Sequence, residues 1–565
     1  MILNPSFTPV SVRSHLTRIG ASVLLNLGLM LGLGCRAEAA ERLTVYVGPL
    51  QFSVSVNALD KFATGGEATG DLALIMNRLD DETQVEIRRF LQTSVDNSPV
   101  VVAQFAYSAM GEDLLQRIGT LIQTQSGING FHAIRAALIL AAADEAEGLT
   151  LINVLRQFLS SDLRINLASV EGLVNEIELL SSERERMVEA IAQQSEQMAS
   201  QIPFMPEEDA PDLRQPGAYS VRQYELAVPI PPLAIAADAS IQNETGETLV
   251  ADLYLPQEVD QSVPLVVVTH SLASTRSRFR YWGEHLASHG IAVVIPEHEG
   301  SNAAYLEALM RGEHRNLIDT VEYPRRIHEI SSLLDALQQH PEFSSQLNFE
   351  QIGVIGTSYG ATVALGLAGA ELNRDRLQTQ CVPDDLTLNL STLLQCRTNG
   401  LPEGDYTLRD PRIRAVIAMF PPTSVIFGPE GLSQIDVPTM VVSASEDQLA
   451  PAVEEQIRPF QGASLDDWYL VMLDPANHYI LNAVGSEDKA PDFLQSSRPD
   501  PAIGRSYIQA LSVAFFKTYL GEGELNPGHP IDYKDYLSAS YAESIRQDAL
   551  NFYMLSASEI PIDEP

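Results

Sequence analysis

Gly356-Thr357-Ser358-Tyr359-Gly360 stands directly behind the apolar run Ile352-Gly353-Val354-Ile355 and directly before a run of small residues, Ala361 to Ala368. A G-x-S-x-G sequence between a strand and a helix makes a sharp elbow that lifts the serine hydroxyl clear of the backbone. Residues two before and two after the serine crowd each other in such a turn, which is why Gly356 and Gly360 carry no Cβ. Small residues in the following helix let it pack closely on a sheet. The pentapeptide therefore demands a strand-to-helix junction in an α/β fold and offers Ser358 as a nucleophile.

A serine hydroxyl is a poor nucleophile near neutral pH and needs a base, with a third group to orient that base. Behind an elbow of this kind the order along the chain is serine, acid, histidine. Only His478 and His529 follow Ser358. His478 closes Asp474-Pro475-Ala476-Asn477-His478, a loop behind the strand pattern 468–473, and loops at strand ends hold the chemistry in open α/β sheets. His529, in Asn526-Pro527-Gly528-His529-Pro530, reads as a surface turn residue. The acid belongs after the preceding strand pattern, 438–443, where Asp447 is chosen over its neighbour Glu446. Asp474 is the third candidate; its place beside His478 suits the cap of a turn. The oxyanion hole requires two backbone N–H groups. Tyr359, next after the nucleophile, supplies one, and the loop behind the apolar run 263–269, His270-Ser271-Leu272, is the place for the other. The His270 side chain is expected only to hydrogen-bond its neighbours.

Four motifs then agree in order and approximate spacing with a known group. His270-Ser271-Leu272, Leu286-Ala287-Ser288-His289-Gly290, Val294-Ile295-Pro296-Glu297-His298 and the elbow itself resemble platelet-activating-factor acetylhydrolases and related dienelactone-hydrolase-like and polyester-hydrolase-like enzymes. The resemblance implies an α/β-hydrolase fold: a mostly parallel sheet with helices on both faces, here preceded by a small mainly helical domain. It implies that Leu272 gives the second oxyanion N–H, that lipid or short-acyl esters are the substrates, and that neither a metal nor an organic cofactor takes part. Where the family usually has glycine after the histidine this chain has Ser271, a side chain able to narrow the approach to the hole. Dienelactone hydrolases proper use a cysteine nucleophile, so the serine favours esters in general.

At 565 residues the chain is long enough for two domains. Arg13 and Arg18, the apolar stretch 19–34 and the small-residue site Ala37-Glu38-Ala39 have the three-part layout of a secretory signal peptide, residues 1–39. Export to the periplasm or beyond follows, with no integral membrane span left after cleavage. Cleavage leaves Cys381 and Cys396, which in an exported chain suggest one disulfide. A formal net charge of −38 argues against nucleic acid as a partner and makes an anionic membrane surface unattractive.

Residues 40–166 open with strands around Gly48-Pro49 and continue as short helical segments. The apolar run from His132 to Ala143 reads as a buried helix, with His132 as a packed core residue. No nucleophile set, metal spacing or phosphate loop occurs here, and the segment resembles the helical domain of unknown function that precedes cyanobacterial hydrolases of this type. Residues 167–218 read as a long linker helix lying on the hydrolase and a Pro- and acid-rich linker. The catalytic domain spans 219–525, with a cap insertion at about 371–410 stapled by the disulfide. A polar tail, 526–565, is expected to form one helix near 541–554. The function read from the chain is an exported serine carboxylic-ester hydrolase. A serine peptidase of the same fold and a non-catalytic binding protein are the alternatives.

Overall fold

The computed structural model describes residues 40–47, 50–95, 97–160, 162–205, 210–233, 247–382, 387–402, 404, 406, 408–463, 465, 467–481, 499–521 and 532–561. The expectations for the signal peptide and for His529 lie outside them. The described residues form two compact units, the first from those within 40–95, 122–128 and 132–165, the second from those within 97–121, 129–131 and 166–561.

Among the described residues the first unit carries five helices and more sheet than the sequence pattern announces. β1 (Arg42–Val47) pairs antiparallel with β2 (Leu50–Ser55). β3 (Ser94–Val95) pairs with β5 (Leu149–Thr150) as a short antiparallel ladder. β4 (Ile122–Thr124) and β6 (Asp162–Ile165) complete a four-stranded sheet in the order β2-β1-β6-β4. The helices Val56–Gly65 and Asp81–Gln92 start on side-chain caps: Ser55 accepts from the N–H of Ala58 and Asp80 from that of Thr83. The helix Phe131–Ala142 buries only Ile134, Ala137 and Ala141. His132 is exposed and paired with Arg135 at 3.2 Å, so the expectation of a core histidine fails. The run is apolar, but its helical period brings a single stripe inward.

The second unit is built on a nine-stranded sheet. Its strands are β7 (Val221–Ile230), β8 (Glu247–Pro256), β9 (Val263–Thr269), β10 (Ala292–Pro296), β11 (Leu347–Thr357), β12 (Ile413–Met419), β13 (Thr439–Ala444), β14 (Trp468–Asp474) and β15 (Asn551–Ser556). The order is β15-β14-β13-β12-β11-β9-β10-β8-β7, parallel from β10 through β14 and antiparallel at both edges. Alternation along β9 divides the core: Leu265 and Val267 join one apolar cluster, Val266 and Val268 the other. The helices Glu322–Gln339 and Tyr359–Ala368 pack in the first cluster, and Arg280–Ser288 with Pro501–Leu520 in the second. The chain thus has helices on both faces of a mostly parallel sheet.

Two boundaries differ from the sequence expectation. Residues 97–121, assigned by pattern to the N-terminal domain, belong to the second unit. The helix Leu167–Gln201 packs on the second unit, with Met187 and Ile191 in its core. The tail is not one helix: a short helix, Ala539–Ile545, is followed by β15, which adds an edge to β14. Phe552 and Met554 are buried there, so the core of the second unit extends well past residue 525. Phe552 to Leu555 form a short continuous apolar run buried on both faces, a pattern that period alone does not tell from a buried helix.

Candidate active site

Ser358 sits between β11 and the helix Tyr359–Ala368 with φ 52° and ψ −122°, a left-handed conformation that L side chains rarely adopt. The glycines around it are required by contact. A Cβ on Gly356 would lie 2.2 Å from the Gly360 carbonyl oxygen, as the sequence argument anticipates. A Cβ on Gly360 would instead lie 2.2 Å from the carbonyl oxygen of Thr269, at the end of β9. The second glycine thus keeps the elbow close to the neighbouring strand as well as keeping it tight.

Three strand ends bring the polar side chains together. His478 Nε2 lies 2.8 Å from Ser358 Oγ, and His478 Nδ1 lies 2.7 Å from Asp447 Oδ2. Asp447 is buried and hydrogen-bonded at both oxygens: Oδ1 accepts from the N–H groups of Leu449 and Ala450, each at 2.9 Å, and Oδ2 accepts from Gln456 Nε2 at 2.9 Å. Glu446 points to solvent, and Asp474 accepts only a long bond from Asn551 Nδ2 at 3.5 Å. Among the described residues neither is hydrogen-bonded to the imidazole. Tyr359 is the first residue of its helix, where an N–H has no intrahelical acceptor. Leu272 lies in the turn after β9 and lines the same cavity as Ser358. The Ser271 hydroxyl is bonded to that of Thr357 at 2.7 Å, so its side chain is held against the elbow.

Behind the turn lies a buried polar network that sequence reasoning missed. His270 Nε2 accepts from the His298 N–H at 3.0 Å, which leaves Nδ1 protonated to donate to the Ser271 carbonyl at 2.8 Å. Burial, with Arg326 nearby, pushes His270 well below the usual histidine range, so it is a neutral strut of fixed tautomer. Glu329 Oε2 lies 2.6 Å from His298 Nδ1, whose Nε2 lies 3.0 Å from Thr269 Oγ1. Burial raises Glu329 to about 8 and lowers His298 well below its ordinary value. Burial thus disfavours the charged form of each partner in this close pair. Arg326, fully buried, donates to the His270 carbonyl at 2.5 Å and to Ser301 Oγ at 2.6 Å, pairs with buried Glu322 at 3.3 Å, and places its guanidinium 5.0 Å from the Tyr359 ring centre. Glu322, Arg326 and Glu329 recur at helical spacing beside the apolar stripe Tyr323, Ile327, Ile330. That spacing was the available signal, and it reads equally well as a solvated face.

The site opens into a mostly apolar cavity of about 450 Å³. The core loops contribute Leu272, Leu317, Pro422, Leu449 and Tyr479. Leu390, Leu393 and Leu394 come from the segment inserted after the elbow helix, which the Cys381–Cys396 disulfide closes with Cα atoms 5.5 Å apart. Buried Glu455 anchors this segment, accepting from Asn389 Nδ2, Gln395 Nε2, Ser424 Oγ and the N–H groups of Thr423 and Ser424. Phe105, Met110 and Leu114 come from residues 97–121.

Residues 39–166 match the family model described as alpha/beta hydrolase of unknown function, DUF1400, and residues 250–323 match that of platelet-activating factor acetylhydrolase, isoform II. The second match contains His270, Leu272 and His298; Ser358, Asp447 and His478 lie outside both. No curated protein matches the chain. With its nine-stranded sheet, the chain has the α/β-hydrolase fold and is similar, through these two segments, to DUF1400 hydrolases and to platelet-activating factor acetylhydrolase, isoform II.

Proposed function

We propose that the chain is an exported serine hydrolase of carboxylic esters that works through an acyl-enzyme. The observation carrying this reading is the continuous hydrogen-bond chain from Asp447 through His478 to Ser358 at the floor of an apolar cavity. Ser358 Oγ attacks the ester carbonyl while His478 Nε2 takes its proton, and Asp447 holds the Nδ1–H and stabilises the imidazolium. The N–H groups of Tyr359 and Leu272 receive the developing oxyanion, a contribution on the order of 10²–10³ in rate per donor. His478 then protonates the departing alcohol and activates the water that releases the acyl group. The similarity to a family named for an acetylhydrolase favours ester chemistry over peptide cleavage. Export rests on the N-terminal sequence, and a disulfide suits an oxidising compartment. Among the described residues no helix is long and apolar enough to cross a membrane.

Hydrolysis of p-nitrophenyl esters by the purified chain, with Ser358→Ala alongside, tests the reading. Turnover is expected in the wild type and loss of at least 10³-fold in the mutant. Equal turnover in both would rule the mechanism out.

A further inference from the structure

The helices Pro99–Ala106 and Ala109–Leu121 form a hairpin whose tight turn is fixed by its own chemistry. Ser108 Oγ donates to the Phe105 carbonyl at 2.7 Å and accepts from the Gly111 N–H at 3.0 Å. A Cβ on Gly111 would lie 1.8 Å from that same carbonyl oxygen, so the turn tolerates no side chain there. The hairpin is tied to the hydrolase body by Gln104 Nε2, which donates to the Gly312 carbonyl at 2.6 Å. Its inner side chains, Phe105, Met110 and Leu114, line the cavity that holds Ser358. Phe105 and Leu390 line the cavity while remaining 39% and 46% exposed, which puts them at its mouth.

From this arrangement we infer that the hairpin is the roof of a binding site for one straight alkyl chain of the ester, of about eight to twelve carbons. The inference rests on the proposed ester hydrolysis and goes further by naming the substrate's apolar part. Volume sets the length: at about 30 Å³ per water-sized group, the cavity takes roughly fifteen such groups, an ester head and about ten carbons. The walls set the class. Leucines, Phe105, Met110 and Pro422 make much of the lining, Arg278 is its one Lys or Arg, and two of its serines are already engaged, Ser271 with Thr357 and Ser391 with Asn389, so most of the wall offers apolar contact. An acetyl group alone would leave most of the leucine-lined volume unfilled.

The test separates chain binding from chemistry and acyl from alcohol. Binding of 1-alkanols of four to ten carbons to the full-length Ser358→Ala chain, measured by calorimetry, should tighten about fourfold per methylene. In turnover, kcat/KM is measured for p-nitrophenyl esters of increasing acyl length and for alkyl acetates of increasing alcohol length. The series that rises with length identifies the side of the ester that enters the cavity. Leu114→Trp, which fills the roof, should lower the ratio of ten-carbon to two-carbon kcat/KM more than tenfold in that series. Met110→Trp serves as the second variant should the first fail to fold. Affinities independent of length, or ratios unchanged in the filled variants, would overturn the inference even if Ser358 proves to be the nucleophile. Length-dependent alkanol binding without turnover of any ester would instead keep the site and remove the serine mechanism.

Discussion

Arg326 donates to the carbonyl oxygen of His270 across 2.5 Å, and its guanidinium plane lies 5.0 Å from the ring centre of Tyr359. One buried side chain thus touches both backbone segments from which the proposed oxyanion donors project. Lysine keeps the charge but not the planar fork that serves Ser301, Glu322 and His270 together. Arg326→Lys is expected to lower kcat on the order of tenfold with KM little changed, because the donors are displaced and no substrate contact is removed. Steady-state kinetics on p-nitrophenyl esters check it; a change confined to KM would assign Arg326 to substrate binding instead.

Glu329 gives a pH prediction with a definite sign. Its carboxyl is raised to about 8 in the folded chain, so the native state holds a proton that the unfolded chain has already released. That stabilisation is fully present below the ordinary glutamate range and is lost as pH rises through 8. Buried neutral His270 and His298 act the other way, but only below about pH 6.5, where the unfolded histidines take up protons. Between pH 6.5 and 8 the wild type is therefore expected to lose about 1.5 kcal/mol through Glu329, and Glu329→Gln, which still donates to His298, should remove that loss. Urea unfolding of both proteins at the two pH values is the measurement. Identical slopes would mean that Glu329 is ionised in the native state.

The disulfide segment bears cavity walls, so its closure couples stability to the site. Replacing Cys381 and Cys396 together by serine is expected to cost about 3 kcal/mol by loop closure. Denaturant unfolding reads the cost, and thiol titration of the wild type should find no free thiol from this pair.

Glu455 stands in for a missing backbone partner on the same wall. With five donors converging on a buried carboxylate, Glu455→Ala leaves several polar groups unpaired and is expected to destabilise by about 3 kcal/mol or more. Unfolding midpoints compared with those of Glu446→Ala, an exposed acid nearby, provide the control.

Ending the chain at Gly521 removes β15. β14 would then present an unpaired edge, and the second apolar cluster would lose Phe552 and Met554. Aggregation on expression is expected for this truncation, and size-exclusion chromatography of the soluble fraction decides it. A monodisperse, active product would mean that the core closes at 525 after all.

What the sequence by itself determined is whatever local spacing controls. The elbow around Ser358 needs glycine at 356 and 360, the apolar runs need a parallel sheet, and chain order leaves His478 as the base, with Asp447, Glu446 and Asp474 as candidates for the acid. Each follows from steric limits or hydrophobic period within a few residues. Tertiary structure decided what depends on partners distant in the chain. Phe105, Met110 and Leu114 read as ordinary helical core residues until folding sets them over Ser358. Glu322, Arg326 and Glu329 read as a charged helix face until Thr269, His270 and His298 close over them. β15 read as helix because the short apolar run Phe552 to Leu555 has no alternation to mark a strand, and only the open edge of β14 selected one. Periodicity tells which face of an element is apolar, but not which other segment will cover it.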